Sequence, residues 1–336
     1  MNMKEQQTEY FELQELRVKR GEKQNGRLHV DGTPYVLHAT VLCGERPGKT
    51  LLLTAGVHSC EYVGIQTLME MAGKLEPAQI IGNVIIIPVV NRTGFETRRP
   101  TVVPEDEKNL NRAFPGNPEG TASQKLAWYM ERELFSKADY YVDLHSGGIY
   151  EELQPYVYYV GNCPDEISME AQRAAAAVDV PFMVRSSAST GAYNYAGLLG
   201  VPSILIERGD SGRWSEEEVR ANVRDLLNIM RCWGVMDGEP LMPLTEPYRL
   251  ENPVYHQCYE SGFWYPRVEA GQRILRGQVL GEIHGYHGEL LETCVAEHDG
   301  NVLYLTKTLW VDKSVEVVTY ARICSCCGRE QCINDN

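Results

Sequence analysis

From Thr50 onward, short continuous apolar runs alternate with longer amphipathic stretches. The runs TLLLTA, NVIIIPVV, YYVDL, YVYYV and SILI read as strands buried on both faces, as in a sheet covered by helices. Apolar residues recurring every three to four positions predict helices over roughly residues 63–74, 123–136, 168–178 and 215–234. Strands alternating with helices imply an α/β domain ending near residue 240. Ahead of it, short alternating runs at 27–30 and 35–41 have the pattern of a hairpin joined to the larger sheet.

After the Pro-containing stretch MDGEPLMPLTEP the helical period disappears, and Gly recurs at 262, 271, 277, 281, 285, 288 and 300 between short alternating runs. A small all-β domain over residues 241–322 is expected. Its segment VEAGQRILRGQVLGEI followed by AEHDGNVLYL resembles the barrel-sandwich fold of biotinyl and lipoyl domains, without an evident lysine to carry a prosthetic group. Residues 323–336 form a Cys-rich tail containing Cys324, Cys326, Cys327 and Cys332, close enough together to suggest zinc binding or oxidation.

A chain of 336 residues, 43% apolar and 23% charged, can bury a large core, which excludes a disordered or disulfide-scaffold protein. The longest apolar stretch, Val84 to Val90, is far short of the roughly 20 residues of a membrane span. The start MNMKEQQTEYFELQE lacks an apolar signal core, so the expectation is a cytoplasmic protein with no membrane partner. The formal charge of −14 disfavours nucleic acid as a partner and is compatible with a homo-oligomer. Cys43, Cys60, Cys163, Cys232, Cys258 and Cys294 are scattered singly and are read as free thiols.

Ligands of open α/β sheets bind beyond the carboxyl ends of the strands, and polar residues concentrate there. TLLLTA is followed by Gly-Val-His58-Ser-Cys-Glu61, NVIIIPVV by Asn91-Arg92, YYVDL by His145-Ser-Gly-Gly, and SILI by Glu207-Arg-Gly. His58 and Glu61, three apart at a strand-to-helix turn, can point at one centre, and His145 from another strand completes three ligands for a catalytic zinc, whose open position takes a water. Glu207 is then the carboxylate left over as general base, passing the water's proton to the leaving amine. With eight His in the chain, about one HxxE spacing is expected by chance, so the weight rests on the shared sheet edge. HGYHGE offers another HxxH spacing at His284 and His287, with no third ligand in sight; with Tyr286 these residues are alternatively substrate contacts from the β domain.

Read in order, GVHSCEYVG, NLNRAFPG, DLHSGG and GVPSILIERG resemble the succinylglutamate desuccinylase/aspartoacylase family, relatives of the zinc carboxypeptidases. The resemblance implies a mixed, mostly parallel sheet flanked by helices, with a small all-β domain at the end. It also implies one zinc per chain on His58, Glu61 and His145, with Glu207 as base, and Asn111 and Arg112 holding the carboxylate of a small-molecule substrate. A family Arg that polarises the scissile carbonyl corresponds to Arg98 or Arg99, and Arg99 is taken here.

Two departures stand out. ERGDSG replaces the Gly-Gly that many relatives carry after the base, and places Arg208 and Asp210 beside the site, implying an altered charge preference. Asn109 in NLNR stands where the aspartoacylase-like branch commonly has Asp, pointing to the branch that includes deacetylases of acylated diamino acids. The expected activity is a zinc-dependent amidohydrolase removing a short acyl group from a small carboxylate-bearing amine. A metallocarboxypeptidase acting on short peptides shares every catalytic residue, whereas a non-catalytic binding module predicts a missing ligand, and all four positions are filled.

Overall fold

The computed structural model describes residues 9–243 and 246–324. The chain opens with the hairpin β1 (Tyr10–Leu13) and β2 (Leu16–Lys19), then β3 (Glu22–His29), β4 (Val36–Cys43) and β5 (Arg46–Ala55). An α/β stretch follows: α1 (Tyr62–Lys74), β6 (Ile81–Ile87), α2 (Arg92–Thr97), α3 (Ala122–Tyr129), β7 (Tyr140–His145), β8 (Glu151–Leu153), β9 (Tyr156–Val160), α4 (Asp165–Ala175), β10 (Phe182–Ser186), α5 (Ala192–Leu198), β11 (Ser203–Glu207) and α6 (Glu216–Cys232). The remainder is all strand: β12 (Tyr248–Gln257), β13 (Gly262–Pro266), β14 (Arg273–Ile274), β15 (Val279–His284), β16 (Leu290–Val295), β17 (Gly300–Thr306), β18 (Trp310–Val311) and β19 (Glu316–Ile323).

One mixed sheet of 13 strands runs β14-β17-β19-β12-β10-β9-β11-β7-β5-β6-β4-β3, with β8 pairing to β17. At its centre β6, β5, β7 and β11 are mutually parallel. In register Ala55 lies opposite Leu144, and His145 opposite Glu207, so the carboxyl ends of three strands meet at one edge. Leu51 to Leu53 of β5, Val84 to Ile87 of β6, Val142 and Leu144 of β7 and Ile204 and Ile206 of β11 are fully buried, each worth about 1.5–3 kcal/mol. The mixed α/β architecture and the C-terminal antiparallel β structure agree with the sequence reading. The sheet continues across residue 240, because β12 pairs in parallel with β10. The four-stranded sheet β16-β15-β13-β18 stands apart over a second apolar core that includes Trp264, Leu280, Ile283 and Val302. There the indole of Trp264 occupies the space a Cβ at Gly281 would need, with closest approach 2.1 Å.

The helices begin where capping chemistry is present. Ser215 accepts from the Glu218 amide ahead of three acidic residues in the first turn of α6, complementing the helix dipole. Thr121 and Gln124 form a capping box on α3. The helix expected over 123–136 is α-helical only to Tyr129; a π turn, Met130–Leu134, and a 3-10 turn, Phe135–Lys137, follow. The wider turn brings Met130 and Phe135 to the same buried side. Strand β10 and helix α5 escaped the sequence reading, since each is only five to seven residues long and neither shows a full period.

Helix α1 packs on the strands through Gly64, where an added Cβ would lie 2.7 Å from the Leu144 Cβ and 3.2 Å from that of Ala55. Gly64→Ala would gain up to about 1 kcal/mol of helix propensity but must push α1 off the sheet, at about 1–3 kcal/mol. The expected net result is a loss of stability in denaturant unfolding; a gain would show that α1 has room to move.

Candidate functional site

Gly56, with φ +64°, turns the chain sharply after β5 and delivers His58 to the sheet edge. Glu61 occupies the N-cap position of α1, yet its side chain makes no cap hydrogen bond. Instead one carboxylate oxygen lies 2.7 Å from His58 Nδ1 and the other 2.8 Å from His145 Nδ1, and the Ser146 amide donates to the latter at 3.2 Å. The sequence-predicted triad is thus assembled, its three ligand atoms all within 4.8 Å of one another.

The outer nitrogens of both rings face acceptors as well. His145 Nε2 lies 3.1 Å from an Asp143 oxygen, and an ionised carboxylate can only accept. His58 Nε2 lies 3.1 Å from Asn109 Oδ1, which already accepts from the Asn111 amide at 2.8 Å. A neutral ring that donates through Nε2 would turn the bare lone pair of Nδ1 toward the Glu61 carboxylate. Acceptors facing at hydrogen-bond distance require a positive charge between them, supplied by a second proton on each ring or by a metal. The titration reflects this demand. Burial opposes charge on His145, but Glu61 and Asp143 outweigh it and raise the imidazole well above its usual range. Burial likewise works against ionising Glu61, yet His145 and His58 bring its carboxyl down to about 2. Two imidazoles and a carboxylate, each imidazole oriented by an outer hydrogen-bond acceptor, fit a borderline divalent metal such as zinc.

Glu207 ends β11 opposite His145, and its Oε2 is out of solvent with no hydrogen-bond partner among the described residues. Burial, with Glu61, Glu151 and Asp143 adding to it and His145 opposing, pushes its carboxyl up to about 8; a nearby dication acts in the opposite direction. Cys60 sits in the same loop, but burial reinforced by Glu61 pushes its thiol up to about 12, so it remains protonated.

The other predicted residues are distributed unevenly. Asn111 is buried, its carbonyl oxygen accepting from the Ala192 amide at 2.9 Å, which ties NLNR to the start of α5 and leaves the amide nitrogen as its donor. Arg112 is exposed, and its charge acts on Tyr255 of β12, whose hydroxyl meets that of Tyr158 at 3.1 Å. The main chain of Arg99 reaches the metal loop, its carbonyl accepting from the Ser59 hydroxyl at 2.6 Å, while its guanidinium pairs with Glu107. Arg98 takes the left-handed C-cap position of α2.

Arg208 corrects the sequence reading. It points away from the sheet edge into a buried ion pair with Asp225 of α6 and a 2.9 Å hydrogen bond to Asn222, while Asp210 pairs with Arg213 at 3.2 Å. Arg208 stands one residue past the end of β11, and with its guanidinium held by Asp225 and Asn222 it does not set the charge of the site. Nor does His284 form a metal pair with His287: its Nδ1 lies 3.1 Å from the Gly288 carbonyl, and the two ligand clusters found among the described residues use other side chains. Tyr286 packs its ring against Phe263 and Trp310. The six scattered cysteines are free thiols, and residues 325–336 of the tail lie outside the described residues.

Sequence reasoning missed two contributors. Asp143 was visible in DLH, since residues two apart on a strand share a face. Glu151, held by the Gly148 amide at 2.6 Å, carries no sequence signal; burial, with Glu61 and Glu316, raises its carboxyl.

A sheet-edge His-Glu-His cluster beside an unpartnered carboxylate is the arrangement of a metallohydrolase. Comparison with known proteins makes the class specific. The succinylglutamate desuccinylase/aspartoacylase catalytic domain matches residues 47–233, and the chain belongs to that family. It is 30% identical over 243 residues, 70% of this chain and 71% of the relative, to the N-alpha-acetyl-L-2,4-diaminobutyric acid deacetylase of Halomonas elongata. Among solved structures it resembles the product-bound ectoine utilization protein EutE (DoeB) of Ruegeria pomeroyi, with TM-score 0.81 and 25% identity over 91% of this chain and 97% of that one. A succinylglutamate desuccinylase/aspartoacylase from Rhodobacter sphaeroides matches with TM-score 0.79 and 26% identity over 90% of this chain and 96% of that one.

Asp143→Asn keeps the shape of the buried acceptor but removes its charge. Zinc affinity should fall by about 10- to 100-fold in chelator competition, whereas unchanged affinity would mean that Asp143 serves packing alone.

Proposed function

We propose that the protein is a zinc-dependent deacylase that hydrolyses the amide bond of a small N-acylated amino acid, with N-acetylated diamino acids as the first substrate class. The observation that carries this reading is the pair of imidazole Nδ1 atoms converging on Glu61, with the unpartnered Oε2 of Glu207 one strand away. His58, Glu61 and His145 would hold one zinc, which lowers the pKa of water and polarises a carbonyl. Glu207 holds the proton taken from water and delivers it to the departing amine, which leaves poorly as an anion. Its placement out of solvent favours proton transfer to substrate over loss to bulk water. Arg112 and the Asn111 amide nitrogen anchor the substrate carboxylate, Arg through its planar fork. We assign carbonyl polarisation to Arg99, which requires its guanidinium to exchange Glu107 for substrate. The diamino acid preference is supported by the similarity to the Halomonas enzyme and by Asn109 in NLNR.

The test combines metal analysis with amine release from N-acetyl, N-succinyl and N-formyl amino acids, acetylated diamino acids and unblocked dipeptides. Turnover of one N-acyl class by zinc-loaded protein is the expected result; cleavage confined to dipeptides would make it a peptidase. Glu207→Gln should retain the catalytic-site zinc and lower kcat by about 100-fold or more. Zinc lost from that site in step with activity would make Glu207 a ligand. Arg112→Ala should raise KM for carboxylate-bearing substrates while changing kcat little; an unchanged KM would remove it from the binding pocket.

A further inference from the structure

A second group of metal-ligating side chains lies in the C-terminal β structure, in strands separate from those of the first. His256 belongs to β12 and occupies a register irregularity, opposite Val318, where the next residue pairs with Glu316. Its Nε2 is out of solvent and has no hydrogen-bond partner among the described residues. Glu292 and Cys294 lie on β16, two residues apart. Glu292 Oε2 accepts from the Tyr259 and Glu260 amides at 2.8 and 3.0 Å, while Oε1 accepts from the Cys294 thiol at 3.7 Å. Cys294 is buried, 1% exposed. One atom from each of the three residues lies within 4.8 Å of the other two. Ligands on a tetrahedral zinc stand about 3.3–3.8 Å apart, from bond lengths near 2.0–2.3 Å, so small side-chain adjustments complete the site.

We infer that His256, Glu292 and Cys294 form a second divalent-metal site, structural in role, for a borderline-soft cation such as zinc. Nitrogen, sulfur and one oxygen select zinc or cobalt over magnesium or calcium. Glu292 has the outer support that metal-bound carboxylates usually carry, here from two main-chain amides. Coordination would give the out-of-solvent Nε2 of His256 the partner that it lacks among the described residues. On binding, the Cys294 thiol gives its proton to solvent and coordinates as thiolate. Cys258 lies beside Cys294 but already donates to the Asp312 and Val315 carbonyls at 3.1 and 3.4 Å, and is not counted as a ligand. The consequence is mechanical. His256 belongs to the 13-stranded sheet and Cys294 to the four-stranded one, so the metal would clamp the two sheets across the second core.

The test uses the full chain stripped of metal and reloaded with cobalt. The His58–Glu61–His145 ligand set contains no thiolate, and Cys324→Ser, Cys326→Ser, Cys327→Ser and Cys332→Ser together remove the tail thiols, so in that background thiolate-to-cobalt charge-transfer absorption distinguishes the two sites. The expected result is absorption that Cys294→Ser diminishes, together with a loss of about one metal equivalent per chain; His256→Asn should lower the metal content equally. Should Cys294→Ser fail to fold, His58→Ala with Glu61→Ala provides the check, because that protein should lose the other equivalent and keep the absorption. Metal content and absorption unchanged in foldable Cys294→Ser and His256→Asn, or no thiolate absorption in the parent protein, would overturn the site.

Discussion

Two imidazole nitrogens directed at one buried carboxylate make an arrangement that repels itself unless positive charge is placed at its centre, and the surrounding fold is built to maintain it. The outer nitrogens are pinned by Asp143 and Asn109. Asp143 is in turn fixed by the Thr54 hydroxyl at 2.7 Å, and Asn109 by the Asn111 amide. Asn111 reaches on to the first residue of α5. Strands β5 and β7 and the loop before α5 thereby act together on the two rings. A metal entering such a site finds ligands whose rotamers are already restricted, so little side-chain entropy is lost on binding.

The legible part of this site was the part written at strand ends. His58, His145 and Glu207 each follow an apolar run closely, and the rule that ligands gather beyond the carboxyl ends of parallel strands brings them together without coordinates. What was not legible depends on direction. Arg208 is adjacent to Glu207 in sequence, yet it stands just past the end of β11 and its guanidinium turns to α6 and Asp225. Arg99 is near the metal loop by its main chain, while its guanidinium answers to Glu107. Neither preference is encoded in a motif; both follow from which charge is nearest once the helices have packed.

The fold shows the same division. Continuous apolar runs announced the central strands, and Gly recurrence announced the C-terminal β structure. The link between them was hidden in β10, whose five residues carry too little pattern to be read as a strand. The second ligand cluster was equally hidden, because His256 and Cys294 come from different sheets and no spacing relates them. Long-range pairing is decided by register and burial, which a local pattern does not contain.

The direct pairing of β12 with β10 bears on how this protein can be divided. A polypeptide ended at the Pro-containing stretch near residue 240 would retain every group at the catalytic sheet edge, but the main chain of Phe182, Met183 and Val184 would lose its partners Tyr248, Arg249 and Leu250. Those apolar residues would then lie on a bare sheet margin, a template for uncontrolled association with other chains. The part of the chain after residue 240 thus acts as a built-in guard against aggregation, and cutting or shuffling the gene at that stretch would forfeit solubility before it altered chemistry.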